Sequence, residues 1–494
     1  MEKRSLNCNI DWLREITGKK YHSNNGGWEM DMTDFSEINR GCLAQQHNHR
    51  YNPASRLLNL LRGNKNLAFL YRKRHRAGDG LPAMTGLPGA DVLNGWKAVP
   101  PTQQATRTDI IGGRSGGNYA VELKIHAGLG YARMATATKI DLSPVTDTGV
   151  YSSDVREETA RTAGEALQED MASHHVFFND QHFHNHIPHQ LLSIYALGAA
   201  PEDIKACYER NKCYQRPTLP ASQGVIQSMH DVVKFQEHLG KEENYSNYLA
   251  FFQHEIDAKG VGRVLGEYLF AGDERAENMM CRLFAAQGLA QTAVQDDWLG
   301  RWSALYGAPE QMLKYASKFT VSEDQMDERL ADMINTVVYY TGAAQRLTGK
   351  MKLDFFLIYC VNSSIFFSKI INLSALNQRS KMRMLEWKGR IDLLMYTSRG
   401  TPDPLLDEVA NYPLKGDWSQ IFARSIAHPS DGGHLAKLTR ALAHGQKVCQ
   451  AYERNGDMWL RIGNIAVDST VHERSKPMWV RSTGFDEAWE QAHV

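Results

Sequence analysis

Histidines are concentrated in one short part of the chain, the segment HHVFFNDQHFHNHIPHQLLSIYALGA, which begins at His174. Six of them fall within sixteen residues, at positions 174, 175, 182, 184, 186 and 189. Neutral imidazole is the commonest protein ligand for transition metals. This density therefore favours a metal site over polar capping and core hydrogen bonding, which are the other uses of buried imidazoles.

The order of residues within this segment predicts how three of the imidazoles are presented. Pro188 is tolerated only in the first turn of a helix, so Asn185 is expected to cap a helix that begins there. His186 and His189 then lie on one face of that helix, and His184 sits just outside it. We predict that His184, His186 and His189 bind iron or another metal that prefers imidazole.

A second segment with chemical potential runs from Lys352 to Phe367 and is apolar nearly all round, as in a buried core helix. Its polar residues would need partners inside the protein. They are Asp354, Tyr359, Asn362 and Ser363. They either line a pocket for a flat aromatic ligand or are satisfied within an ordinary core.

Two further residues follow in helical surroundings. Lys388 stands beside Trp387, where a surface lysine is the simplest interpretation. His434 ends the run Asp-Gly-Gly-His, which has the composition of a turn that caps a helix starting near Leu435.

The G-x-S-x-G match at Gly113 to Gly117 does not indicate a nucleophile elbow, which needs a strand before it and a helix after it. The residues that follow, NYAVELKI, have an extended pattern. Neither a hydrolase nor a dinucleotide-binding domain is supported, so any nicotinamide cofactor must bind in an unconventional way.

The elements that must position these residues are mostly helical. The apolar spacing predicts helices at about 157–170, 190–198, 201–211, 228–239, 245–258, 262–270, 275–297, 309–318, 321–347, 353–368, 381–396, 403–411, 416–427 and 433–445. A possible pair of strands follows at 456–469 and 477–482. We expect a mainly α, multi-helix globular domain over residues 136–494, with minor β structure near the C-terminus.

Residues 1–135 differ from the rest, because Gly, Asn, Arg and Pro interrupt every short apolar run. We interpret them as a poorly structured basic extension, possibly an artefact of the gene model. They carry a net charge of +8 and the remainder −8. The basic cluster at 72–76 is expected to be a solvated loop, although contact with nucleic acid is an alternative.

The whole 494-residue chain is electrically balanced, with 56 Lys+Arg and 56 Asp+Glu, so nucleic acid is not the expected partner. Seven scattered cysteines fit a reducing compartment. The N-terminus lacks the apolar region of a signal peptide. The longest unbroken apolar run has seven residues, where a membrane span needs about 20. We expect a soluble, cytoplasmic protein of undetermined oligomeric state.

Eight segments, in this order, resemble the questin oxidase-like family of fungal secondary metabolism. They are DTGVY (147–151), HHVFFND (174–180), FHNHIPHQLLSIYALGA (183–199), YERNKCYQRP (208–217), YLAFFQHEIDAKGVGRVLGEYLFAGDERAENM (248–279), GLAQTAVQDDW (288–298), KLDFFLIYCVNSSIF (352–366) and LEWKGRIDLLMY (385–396). The resemblance extends from about residue 139 to 494.

The resemblance implies a helical oxygenase that opens a ring of anthraquinones or related polyketides by Baeyer–Villiger-type chemistry. It implies O₂ as a substrate and NADPH as a cofactor, and some members of the family resemble non-haem iron enzymes with histidine ligands. By position, His184, His186 and His189 match the family's histidine motif and Lys388 matches its lysine motif. We add His434 and Tyr359 to Lys388 as candidate catalytic residues.

The chain departs from the family pattern in two places. A segment with His-Pro-x-x-His, which the family carries between the matches to RLFA (282–285) and GLAQ (288–291), is absent here. Tyr359 stands where the family usually has histidine. Three expected imidazoles are therefore missing. The alternative function is a catalytically impaired paralogue that only binds such ligands, and a DNA-contacting protein ranks third.

Overall fold

The computed structural model describes residues 21–24, 27–30, 135–144, 150–180, 183–276, 279, 314–347, 350–429, 432–451, 457–471 and 477–493. The chain divides into one unit formed by Met1–Tyr51 together with Met134–Val494, and a second unit, Asn52–Arg133. The second unit lies outside the described residues, as do the basic cluster and the Gly113–Gly117 match. The interpretation of residues 1–135 as a poorly structured extension therefore stays a prediction.

The described part of the chain is mainly helical, which confirms the predicted fold class. The first seven helices are α1 (Glu157–Ser173), α2 (Ile187–Ala196), α3 (Pro201–Lys212), α4 (Gln223–Ser228), α5 (Val232–His238), α6 (Tyr245–Lys259) and α7 (Val261–Tyr268). After the undescribed stretch follow α8 (Met326–Ala343), α9 (Leu357–Ser364), α10 (Phe367–Ile370), α11 (Gln378–Ser398), α12 (Leu406–Ala410), α13 (Trp418–Ile426), α14 (His434–Cys449), α15 (Met458–Ser469) and α16 (Glu487–His493).

Helix α14 lies at the centre of the core and packs against α2, α8, α9, α13 and α15. Its apolar residues recur at helical spacing, and Leu435, Leu438 and Leu442 are all buried. Small residues let its neighbours approach closely. A Cβ added at Gly445 would lie 2.5 Å from the ring of Trp459, the largest fully buried side chain of α15. This central position brings the start of α14 next to α2 and α9.

The strands expected near the C-terminus are wrong in the described residues. The region expected to be extended over 456–469 contains α15, because Trp459, Ile462 and Ala466 also recur every three or four residues and are all buried. At 477–482 a single residue, Val480, pairs with Asp354 in an isolated bridge. An apolar pattern of this length fits both the two-residue period of a strand and the 3.6-residue period of a helix. Burial on several sides favours the helix.

One short sheet occurs in the N-terminal part of the first unit. Strands β1 (Tyr21–Asn24) and β2 (Gly27–Met30) pair antiparallel, with Tyr21 opposite Met30. The sequence-based prediction for residues 1–135 did not include this hairpin.

A second apolar cluster accompanies helices α4 to α7. Its buried residues are Ile226, Met229, Phe235, Phe251, Val264 and Tyr268. None of the helices in the described part of the chain is long and apolar enough to span a bilayer.

Candidate metal and substrate site

Three histidines converge where the chain enters α2. One ring nitrogen from each of His184, His186 and His189 can be chosen so that all three lie within 4.8 Å of one another. His184 pairs with Phe177 through an isolated backbone bridge, His186 immediately precedes the helix, and His189 lies in its first turn. The structure therefore brings together the three residues that the sequence predicted as ligands.

Asn185 organises the entry into α2, but the predicted N-cap is wrong by one residue: the helix begins at Ile187, so the N-cap is His186. Its Oδ1 accepts a hydrogen bond from the backbone N–H of Ile187 at 2.8 Å, and its Nδ2 donates to Asp170 at 2.7 Å. Asp170 also contacts Nδ1 of His174 at 2.9 Å. Asn185 is thus anchored to α1. This contact fixes the direction in which the chain presents His184 and His186, which flank Asn185.

The surroundings of His189 fit a metal ion. Both of its ring nitrogens are buried, and neither has a hydrogen-bond partner among the described residues. Buried polar nitrogens are normally paired, so an unpaired imidazole beside two others indicates a missing ligand. Three nitrogen donors of this kind suit iron, copper or zinc better than calcium or magnesium.

Burial keeps these imidazoles neutral, which is the form that binds metal. Burial, together with the charge of Lys437, lowers the pKa of His184 to about 3 and that of His186 to about 4. Burial also lowers the pKa of His189. All three are therefore free of an added proton at neutral pH.

His434 and Tyr359 border the three histidines. The ring of His434 lies 5.3 Å from that of His186 and 6.0 Å from that of His189, measured between centroids. Nε2 of His434 and the hydroxyl of Tyr359 are hydrogen-bonded at 2.9 Å. Phe355 packs against both, with its ring centroid 5.0 Å from that of His434. Two of the three candidate catalytic residues therefore lie at the histidine cluster.

The turn before α14 closes against the same site. Gly432 and Gly433 both have positive φ, and helix α14 begins at His434, as the turn-like composition indicated. A Cβ on Gly432 would lie 2.9 Å from Nδ1 of His186. Only glycine lets the backbone approach the imidazole this closely.

Lys388, the third candidate catalytic residue, lies elsewhere. Its side chain is fully buried, forms an ion pair with Asp392 and donates a hydrogen bond to the carbonyl of Cys360 at 3.1 Å. The expectation of a surface lysine is therefore wrong. The contacts described for Lys388 include none of the clustered histidines, although Cys360 adjoins Tyr359 in α9.

Two polar residues of the segment from Lys352 have well-defined partners. Asp354 accepts hydrogen bonds from the backbone N–H groups of Phe356, Leu357 and Thr483, so it has a structural role in the core. Tyr359 faces the histidine cluster through His434.

Sequence reasoning missed Lys437 and Tyr214. Lys437 lies one turn after His434 on α14, with its ammonium nitrogen 5.0 Å from the ring centroid of Tyr359. Tyr214 lies beside His186, with its hydroxyl 3.4 Å from Nδ1. The spacing of three between His434 and Lys437 could have indicated the first of these residues. No local signal indicates the second.

Comparison with known proteins shows which family the chain belongs to. The profile of the questin oxidase-like family matches residues 183–290 and 288–442. A Baeyer–Villiger oxidase of Pestalotiopsis microspora is 30% identical, over 68% of this chain and 94% of its own length. A questin oxidase of Aspergillus terreus is 30% identical, over 72% of this chain and 98% of its own length. The chain thus belongs to the questin oxidase-like family.

Proposed function

We propose that the protein is a Baeyer–Villiger-type oxygenase that oxidises a ring ketone of an anthraquinone or a related aromatic polyketide. The observation that carries this proposal is the set of three neutral imidazoles within 4.8 Å, in a chain whose relatives are named Baeyer–Villiger oxidase and questin oxidase. The names describe the relatives, and the imidazoles are the feature of this chain that suits oxygen chemistry.

The proposed reaction balances as follows. One atom of O₂ enters the bond between the carbonyl carbon and its ring neighbour, which turns the ketone into a lactone. The other atom leaves as water, with two electrons and two protons supplied by NADPH and a proton. Hydrolysis of the lactone then opens the ring. NADPH is included because of the family resemblance, and the described residues contain no parallel sheet of the dinucleotide-binding kind.

His184, His186 and His189 would hold the iron in this proposal. Bound iron supplies Lewis acidity and an open position for O₂. His434 and Tyr359 can hold a proton between Nε2 and the phenolic oxygen, next to the place where the substrate carbonyl would lie. The ammonium group of Lys437, 5.0 Å from the ring centroid of Tyr359, can attract a carbonyl or phenolate oxygen of the substrate.

The test is oxygenation of an anthraquinone by the purified protein in the presence of Fe²⁺ and NADPH. With ¹⁸O₂, one labelled atom should appear in the product, and oxygen consumption should stop when Fe²⁺ is removed. Absence of product and of oxygen consumption across a panel of anthraquinones and xanthones would contradict the proposal.

Impaired catalysis with retained ligand binding is the second candidate. It is favoured by the family match, which falls into two pieces that meet at residues 288–290, where the histidine-containing segment is expected. In addition, the alignment with the Pestalotiopsis relative runs over 423 positions but uses 68% of this chain, so that relative carries residues without a counterpart here.

Restoring the missing residues separates the two candidates. The corresponding segment of the Aspergillus terreus relative would be inserted after Ala285 and combined with Tyr359→His. If the site is incomplete, metal occupancy and oxygen consumption should rise together. Full turnover by the unaltered chain would instead mean that the remaining residues suffice.

A further inference from the structure

The hydrogen bonds around His186 determine which of its nitrogens is available. Helix α3 lies against α2 and carries Asn211, whose side chain is buried. Nδ2 of Asn211 donates to the backbone carbonyl of Cys207 and to Oε1 of Gln190, each at 2.9 Å. A backbone carbonyl can only accept, so the amide orientation of Asn211 is fixed and its Oδ1 points the other way.

Oδ1 of Asn211 faces the hydroxyl of Tyr214 and accepts a hydrogen bond from it. A neutral phenol has one hydrogen, and this bond uses it. An ordinary phenol is neutral at pH 7. Only lone pairs of its oxygen remain to face Nδ1 of His186, 3.4 Å away. A hydrogen bond between them therefore requires the proton to be on Nδ1.

The ring of His186 is also fixed in orientation. The ring of Phe178 packs edge-on against Tyr214 and contacts His186, with centroids 5.1 and 5.3 Å away. On the Nδ1 side, the backbone of Gly432 lies so close that an added Cβ would be 2.9 Å from this nitrogen. Nδ1 thus faces Tyr214 and Gly432, which leaves Nε2 to serve as the ligand atom.

We propose that Tyr214 is a positioning residue of the metal site. Its hydroxyl, anchored by Asn211, accepts a hydrogen bond from Nδ1–H of His186 and so leaves the lone pair of Nε2 for the metal. This inference rests on the proposed function for the presence of the metal. A hydrogen bond from the second nitrogen of a ligating imidazole sets its tautomer and increases its basicity. Tyr214 and Asn211 thereby act on the metal without touching it.

The experiment compares the full-length chain with Tyr214→Phe, which keeps the aromatic packing and removes the acceptor oxygen. Tyr412→Phe is the matched control, because that hydroxyl donates to Asp468 at 2.6 Å and has no described contact with the histidines. Long-range ¹H–¹⁵N correlation spectra of the metal-free proteins report the tautomer of His186. Competition titrations with Co²⁺ report affinity.

We expect His186 to carry its proton on Nδ1 in the parent and in Tyr412→Phe, and to shift towards the other tautomer in Tyr214→Phe. The Kd for Co²⁺ should rise about 10-fold to 100-fold in Tyr214→Phe alone. A proton on Nε2 in the parent, or an unchanged tautomer and Kd in Tyr214→Phe, would overturn the inference. The tautomer of His186 in the parent tests the inference even if Tyr214→Phe does not fold.

Failure of the proposed function gives a different result. If the parent chain binds neither Co²⁺ nor Fe²⁺, the metal site that the proposed function requires is contradicted. The tautomer of His186, read from the same metal-free sample, still decides whether Tyr214 and Asn211 orient this imidazole.

Discussion

Each clustered imidazole is held by a different local device. A backbone bridge to Phe177 places His184, the capped entry into α2 places His186, and the first turn of α2 places His189. Burial keeps all three neutral. The result is a preformed set of nitrogen donors, which reduces the entropy lost when a metal binds.

Replacing His184, His186 and His189 together by alanine should abolish bound transition metal, because no other nitrogen of the described cluster replaces three donors. Helical circular dichroism should change little, since the N-cap His186 makes no side-chain cap hydrogen bond and the bond from the N–H of Ile187 to Asn185 is retained. Metal content by mass spectrometry is the measurement. The exposed His254 provides the control, and His254→Ala should keep the parent's metal content. Undiminished metal in the triple variant would show that the ion binds elsewhere.

Lys388 is fully buried in an ion pair with Asp392, so its charge is expected to matter for stability. Removing its charge in Lys388→Met leaves Asp392 buried without its partner, which typically costs about 3–5 kcal/mol. Urea unfolding should show this loss, whereas breaking the exposed pair of Lys234 with Glu237 should change the free energy of unfolding far less. A Lys388→Met protein that is fully stable yet inactive would restore a catalytic role for this lysine.

At the scale of elements, helix α14 connects the site to the core. Its first residue, His434, contacts the histidine cluster, and further along His444 is buried against Tyr151 and Ser368. A shift of the first residue of α14 would therefore affect both the histidine cluster and the contacts of His444.

The start of α14 depends on Gly433, which has φ +79°. In Gly433→Ala the new Cβ would lie 2.5 Å from Cγ of Gln190. Gly272 is the control, because it also has a positive φ, 75°, but open space around its Cβ position. Thermal or urea unfolding should show that Gly433→Ala costs about 1–3 kcal/mol more than Gly272→Ala. Equal losses would mean that backbone strain alone matters there.

His444 should make stability depend on pH. Burial, with Arg440 and Lys447 nearby, lowers its pKa to about 4 in the folded protein, whereas the unfolded chain takes up this proton below about pH 6.5. The unfolded state therefore binds more protons between these values, and stability falls as the pH drops through that window. In His444→Gln the slope should be smaller by up to about 1.4 kcal/mol per pH unit. A slope equal to the parent's, measured by urea unfolding, would contradict this assignment.

At the scale of the whole molecule, the site and the core belong to residues 136–494. The poor periodicity and charge of +8 of residues 1–135 predict that they contribute little to folding. A chain that begins at Thr136 should unfold at nearly the same temperature as the full chain, as measured by calorimetry. A midpoint lower by several degrees would show that the extension packs on the helical core.

Local pattern was sufficient for the class of fold and for the cluster of three histidines. The apolar residues of α1, α3 and α14 recur every few residues within each segment. Asn185 and His189 are likewise separated by barely one helical turn of sequence. Such features depend on backbone geometry that each segment carries itself. The sequence by itself therefore determined a mainly helical domain and three clustered imidazoles, and its motifs indicated the family.

Tertiary packing decided the rest. His189 and His434 are 245 residues apart in the chain yet neighbours in space, and nothing local to either residue specifies this contact. The same holds for Lys388, which turned inward to Asp392, and for Tyr214, which needs Asn211 and His186 around it. For α15, both periods were present in the sequence, and burial on several sides selected the helix. Contacts between distant segments depend on how complete helices pack, so only the tertiary structure could assign them.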